Sequence, residues 1–138
     1  MNAEKKQKLQ EKYVEFQLLQ AQIRDVQQQK DVLSRKTLEL KRALESLGDI
    51  DWLDEGKKVF SQIGAGIHIL TRLDNKQQVL VNVGAHIFVS KTITEAREFL
   101  ERHIQELDSV LKNINFALEK AARRLHILQH EIVSLSKK

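Results

Sequence analysis

The chain has 138 residues, a net charge of +4, 30% charged against 5% aromatic residues, five glycines, and neither proline nor cysteine. So few aromatics and turn formers exclude a loop-rich globular fold and leave long helices as the natural alternative, while the missing thiols exclude a disulfide framework, a thiolate metal site and a cysteine nucleophile. Both signs of charge are interspersed and Lys5-Lys6-Gln7-Lys8 is the only dense basic run, so the positive balance reads as a solvated helix surface and not as a nucleic-acid footprint.

Residues 1–48 follow a seven-residue period. Leu9, Phe16, Ile23, Lys30, Thr37 and Leu44 form one series (a), and Lys12, Leu19, Val26, Leu33, Leu40 and Leu47 a second (d); nine of these twelve are apolar. That is the signature of a coiled-coil helix. Lys30 and Thr37 are polar groups within the seam, where a polar a position fixes register. The opening residues lead into polar sequence, and no stretch reaches the ~18–20 apolar residues that span a bilayer. The expectation is a soluble, cytoplasmic chain without membrane contact.

Gly48, just after Leu47, stands where a left-handed helix cap is expected. Across residues 49–91 the period falls from 3.5 to 2, and strands are predicted near 58–63, 67–72, 78–83 and 87–91. The tract Gln62-Ile63-Gly64-Ala65-Gly66-Ile67-His68-Ile69 matches Asn82-Val83-Gly84-Ala85-His86-Ile87-Phe88-Val89 in character, which points to a duplicated hairpin. Each copy turns on a Gly-Ala pivot. Ile63, Gly64, Ala65, Gly66, Ile67 and Ile69 form the first assembly element, and Val79, Val81, Val83, Gly84, Ile87 and Val89 the second. A lone hairpin is marginal in water and its open edge invites another strand, so oligomerisation by strand pairing between subunits is predicted.

Residues 92–138 return to the heptad. Ile93, Leu100, Leu107, Ile114, Ala121, Leu128 and Leu135 lie at d, with Arg97, Ile104, Leu111, Leu118, Leu125 and Ile132 at a; twelve of these thirteen are apolar. Thr92-Ile93-Thr94-Glu95 has the spacing of a capping box. Two runs of about 45 residues, each reaching roughly 65–70 Å at the helical rise, are expected to pair antiparallel. The fold class is therefore α+β: a long antiparallel two-helix coiled coil with two central β-hairpins, in one domain.

This combination resembles the alpha-class subunits of archaeal prefoldin. The resemblance is most specific from Gly56 to Leu100, in Ile63-Gly64-Ala65-Gly66, in Val79-Leu80-Val81-Asn82-Val83-Gly84-Ala85, and in Lys91-Thr92 leading to Glu95-Ala96 and Phe99-Leu100. The beta class has one hairpin, so the duplication points to alpha. Where relatives often carry Val-Pro before the pivot, this chain has Ser61-Gln62, which leaves a backbone donor at that edge. The resemblance implies an ATP-independent holding chaperone. Two alpha-type and four beta-type subunits would form a β-barrel body, from which coiled coils hang to hold non-native proteins for a group II chaperonin.

Apolar residues outside the seam indicate where such clients would bind. Tyr13, Val14 and Leu18 occupy e, f and c, while Ile127 and Val133 occupy c and b; all five should face solvent at the free tip. Phe99 is expected to pack on the sheet, and Val32 and Phe116 are further off-seam residues. Nothing in the sequence reads as catalytic. His126 and His130 are spaced i, i+4 but sit at solvent-facing positions without a metalloprotease pattern, and Gly64-Ala65-Gly66 lies between strands, without the third glycine and helix of a dinucleotide site. No enzyme activity, cofactor or metal is expected. The competing reading is a structural scaffold or filament subunit that assembles through the hairpins and binds no client.

Overall fold

The computed structural model describes residues 2–137. It consists of helix α1 (Ala3–Asp51), strands β1 (Lys58–Gly64), β2 (Ile67–Arg72), β3 (Val79–Asn82) and β4 (Phe88–Lys91), and helix α2 (Ile93–Ser136). The chain divides into two compact units. One joins α1 up to Lys36 with α2 from Leu107; the other runs from Thr37 to Glu106 and contains all four strands.

α1 begins at Asn2, whose Oδ1 accepts the Lys5 backbone N–H at 2.8 Å and so satisfies one of the helix's orphan donors. It does not end at Gly48. The helix continues to Asp51 and closes with a tighter turn, Trp52 N–H donating to Asp49 C=O at 3.2 Å and Leu53 N–H to Ile50 C=O at 3.0 Å. A glycine inside a helix costs only about 1 kcal/mol, and half-buried Leu47 and Ile50 continue the packed face beyond it. The left-handed glycine comes later, at Gly56, with φ of 82°.

The hairpins form two separate two-stranded antiparallel sheets, β1–β2 and β3–β4. In the first, Phe60 faces Leu70 and Ser61 faces Ile69, with an irregularity between Gln62 and Gly64. In the second, Leu80 faces Ser90 and Asn82 faces Phe88. The turns have the same backbone: Gly64, Ala65 and Gly66 have φ of 134°, 49° and 76°, and Gly84, Ala85 and His86 have 121°, 50° and 58°. The sequence repeat is thus a repeat of conformation, with His86 occupying the left-handed position that Gly66 fills in the first copy. The second hairpin is shorter than the sequence implies: Val83 and Ile87 fall outside the strands, although Val83 N–H still donates to Ile87 C=O at 2.9 Å. Ser61 shares a 2.6 Å hydroxyl hydrogen bond with Thr71 on β2.

α2 opens with the predicted capping box. Glu95 N–H donates to Thr92 Oγ1 at 3.1 Å, and the Glu95 carboxylate accepts from the Thr92 hydroxyl at 3.1 Å and from its backbone N–H at 3.5 Å. Among the described residues the buried side chains are seam residues together with Ala96, which flanks the seam at g. Ile93, Ala96, Ile104 and Thr37 close the hairpin-bearing unit, and Leu128 is completely buried in the other. Among the described residues no buried side-chain nitrogen or oxygen lacks a hydrogen-bond partner, so the polar seam residue Thr37 is accommodated.

Candidate functional site

Two regions carry exposed apolar side chains. The first is the unit formed by the free helix ends. Here Lys12 Nζ meets Glu131 Oε2 at 2.6 Å, and Arg124 forks onto Glu15 with contacts of 3.0, 3.1 and 3.2 Å. These ion pairs set residue 12 opposite 131 and residue 15 opposite 124, fixing the antiparallel register of this unit. Lys12 occupies a d position, so a residue that interrupts the apolar series reaches across the seam to a carboxylate. The Glu131 carboxyl is held below its ordinary value chiefly by the hydrogen bond from Lys12, which outweighs the opposing effect of desolvation, with smaller help from the charges of Lys12 and Arg124.

Tyr13, Val14, Leu18, Ile127 and Val133 are all exposed, Leu18 by 61%. They do not converge on one patch. Glu15 and Arg124 both hold g positions, so their pairing marks one flank of the helix pair, and Leu18 and Ile127 at c lie on that flank. Tyr13 at e and Val133 at b lie on the other, and Val14 at f points away from the seam. The arrangement offers small, dispersed apolar contacts on both flanks. His126 and His130 stack edge to face with ring centroids 4.6 Å apart. Among the described residues no group of three or more metal-ligating side chains converges.

The second region is the hairpin-bearing unit. Ile63, Ile67 and Ile69 on the first hairpin and Val83, Ile87 and Val89 on the second are exposed, while Val79 and Val81 are half-buried. Strand alternation explains the difference: Val79 and Val81 line an apolar cleft with Leu40 and Leu47 of α1 and Ala96, Phe99 and Leu100 of α2, which also places Phe99 against β3. The opposite strand phase holds residues that the sequence reading passed over. Phe60 is 72% exposed and lies directly opposite exposed Leu70, and Leu80 (71%) and Phe88 are likewise uncovered. The available signal was the alternation itself, because Phe60 and Leu80 stand one residue out of step with the valines. Trp52, also missed, is 90% exposed at the end of α1.

Comparison with known proteins gives one answer. A family model described as "Prefoldin subunit" matches residues 19–138. The chain is 29% identical over 124 residues to a prefoldin subunit alpha of Pyrococcus horikoshii, covering 89% of this chain and 84% of the relative. It is 33% identical over 113 residues to a prefoldin subunit alpha of Methanoregula boonei, covering 77% and 73%. Among solved structures it resembles the filamentous PFD of Methanocaldococcus jannaschii, with a TM-score of 0.71 at 23% identity over 83% of this chain and 95% of that one. It also resembles the prefoldin beta subunit of Thermococcus strain KS-1, with a TM-score of 0.64 at 20% identity over 95% of each chain.

Proposed function

The chain belongs to the prefoldin family, and on that premise we propose that it is an alpha-type subunit of an ATP-independent holding chaperone of the cytoplasm. Its hairpins pair with beta-type subunits and a second copy of itself to form a β-barrel body. Its helix ends bind non-native proteins, which pass to a group II chaperonin. The observation that carries this reading is the placement of apolar side chains: the seam residues are buried or half-buried, yet Phe60, Leu70, Leu80 and Phe88 on the strands and Tyr13, Val14, Leu18, Ile127 and Val133 on the helix ends stay exposed. Uncovered strands with large apolar side chains call for neighbouring subunits. Dispersed single contacts on the helix ends suit unfolded chains of varied sequence, since each contact is weak and affinity comes from several tentacles at once.

The test is reconstitution. Mixed with a beta-type prefoldin subunit, the chain should form a hetero-oligomer that suppresses aggregation of a denatured client without nucleotide. A mixture that assembles and leaves aggregation unchanged counts against the reading.

A second reading is favoured by one specific likeness, to a prefoldin described as filamentous. On this reading the chain builds open-ended assemblies through its strands and holds no client. Electron microscopy of the isolated chain separates the two: long filaments without client protection support the scaffold, and discrete particles that require a beta-type partner support the chaperone.

A further inference from the structure

We propose that Trp52 is an anchor for self-association, inserting into the apolar cleft beside β3 on a second copy of the chain. Trp52 is the only tryptophan and is 90% exposed, an unusual position for the side chain that contributes most contact area per residue to interfaces. It is not on a loose segment. Its own N–H bonds Asp49 C=O, the carbonyl of neighbouring Asp51 accepts Lys76 Nζ at 3.1 Å, and the Asp51 carboxylate lies 3.9 Å from Arg97. The backbone corner that presents the indole is therefore held in place, so it need not be ordered on binding.

The same unit carries a matching receptor. Leu40, Ala43, Leu47, Val81, Phe99 and Leu100 line an open, mostly apolar cleft of about 350 Å³. That is near the lower bound of the ~300–1,000 Å³ of pockets that enclose small organic ligands, a scale suited to one indole. The charges agree as well. Trp52 is followed in sequence by Asp54 and Glu55, whereas the Phe99 end of the cleft carries Lys91, with Nζ 5.9 Å from the ring centroid. The exposure of Trp52 shows that it does not fill the cleft of its own chain, so the occupant fitted by size, polarity and charge is the Trp52 corner of another copy. Anchor and cleft are different places on the molecule. Each copy therefore gives one anchor and receives one, either by reciprocal exchange in a two-fold dimer or by repetition into a ring or an open chain. This contact is additional to the strand pairing proposed above and does not depend on client binding.

The single tryptophan makes the test direct. In the full-length chain, Trp52 emission should move to the blue as concentration rises, in step with an increase in sedimenting mass. Ala43→Glu places a charge in the cleft at an exposed helix position, and Trp52→Ala removes the anchor; each should weaken this self-association about tenfold or more, with circular dichroism unchanged. Ala43→Glu alone should show solvent-exposed emission at every concentration. Mixing the two variants should restore the blue shift, because the intact anchor of one finds the intact cleft of the other. Emission that stays solvent-exposed while the wild-type chain oligomerises, or a blue shift that survives Ala43→Glu, would overturn the proposal. If either result came with normal assembly alongside a beta-type subunit, the strand-pairing reading would be untouched.

Discussion

Lys12 Nζ lies 2.6 Å from Glu131 Oε2, a cross-helix ion pair one helical turn from Leu128, the one fully buried large side chain among the described residues. A polar interruption of one heptad series is thereby a register pin. Because the folded carboxyl is held below its ordinary value of 4.5, the stabilisation is present above the unfolded pKa and is lost as pH falls through the folded one. Lowering the pH below the carboxylate range should loosen the helix ends, and Glu131→Gln should remove that part of the acid sensitivity. Chemical shifts of Leu128 methyls across a pH series would check this; identical titrations for both chains would contradict it.

Leu128 itself should be costly to truncate. Leu128→Ala removes a completely buried side chain and should destabilise by about 3 kcal/mol, whereas Phe116→Ala, at a 64%-exposed position, should change stability by less than about 0.5 kcal/mol. Denaturant titration of the two variants measures both. Similar costs would mean that Phe116 packs in a way its exposure does not indicate.

The capping box at α2 links the hairpins to the helix. Thr92→Ala deletes the acceptor for Glu95 N–H and should cost about 1 kcal/mol, while Thr92→Ser should retain most of the stability. Hydrogen exchange of the first turn of α2 provides the local readout, with faster exchange expected only in the alanine variant.

His86 has a φ of 58° at the place where the first hairpin has Gly66. A left-handed non-glycine residue carries a penalty of about 1 kcal/mol, so His86→Gly should raise the melting temperature of the chain and His86→Val should lower it. If glycine lowered it and valine did not, the backbone of the second turn would differ from that of the first.

Much of this architecture is legible in the sequence because it rests on period. Helices of this length repeat their seam often enough that polar intruders such as Lys30 and Thr37 do not hide it, and the capping box of Thr92 and Glu95 is local. The hairpin repeat is visible for a similar reason: two Gly-Ala turns of the same backbone leave the same residue types around them. What stays hidden depends on choices between near-equal alternatives. The end of α1 at Asp51 rather than Gly48 turns on a cost of about 1 kcal/mol, which packing beyond the glycine offsets. The exposed phase of the strands, Phe60 and Leu80 instead of Val79 and Val81, is set by which face meets the helices, and β-branched residues suit either. The pairing of Lys12 with Glu131 requires a register that neither helix specifies alone.

The most direct test of the proposed holding function uses the assembled complex with a beta-type subunit and replaces Tyr13, Val14, Leu18, Ile127 and Val133 by serine. All five are exposed, so assembly and the mass of the complex should be unchanged. The account predicts that protection of a denatured client from aggregation falls steeply in this variant. Protection equal to that of the wild-type complex would contradict it.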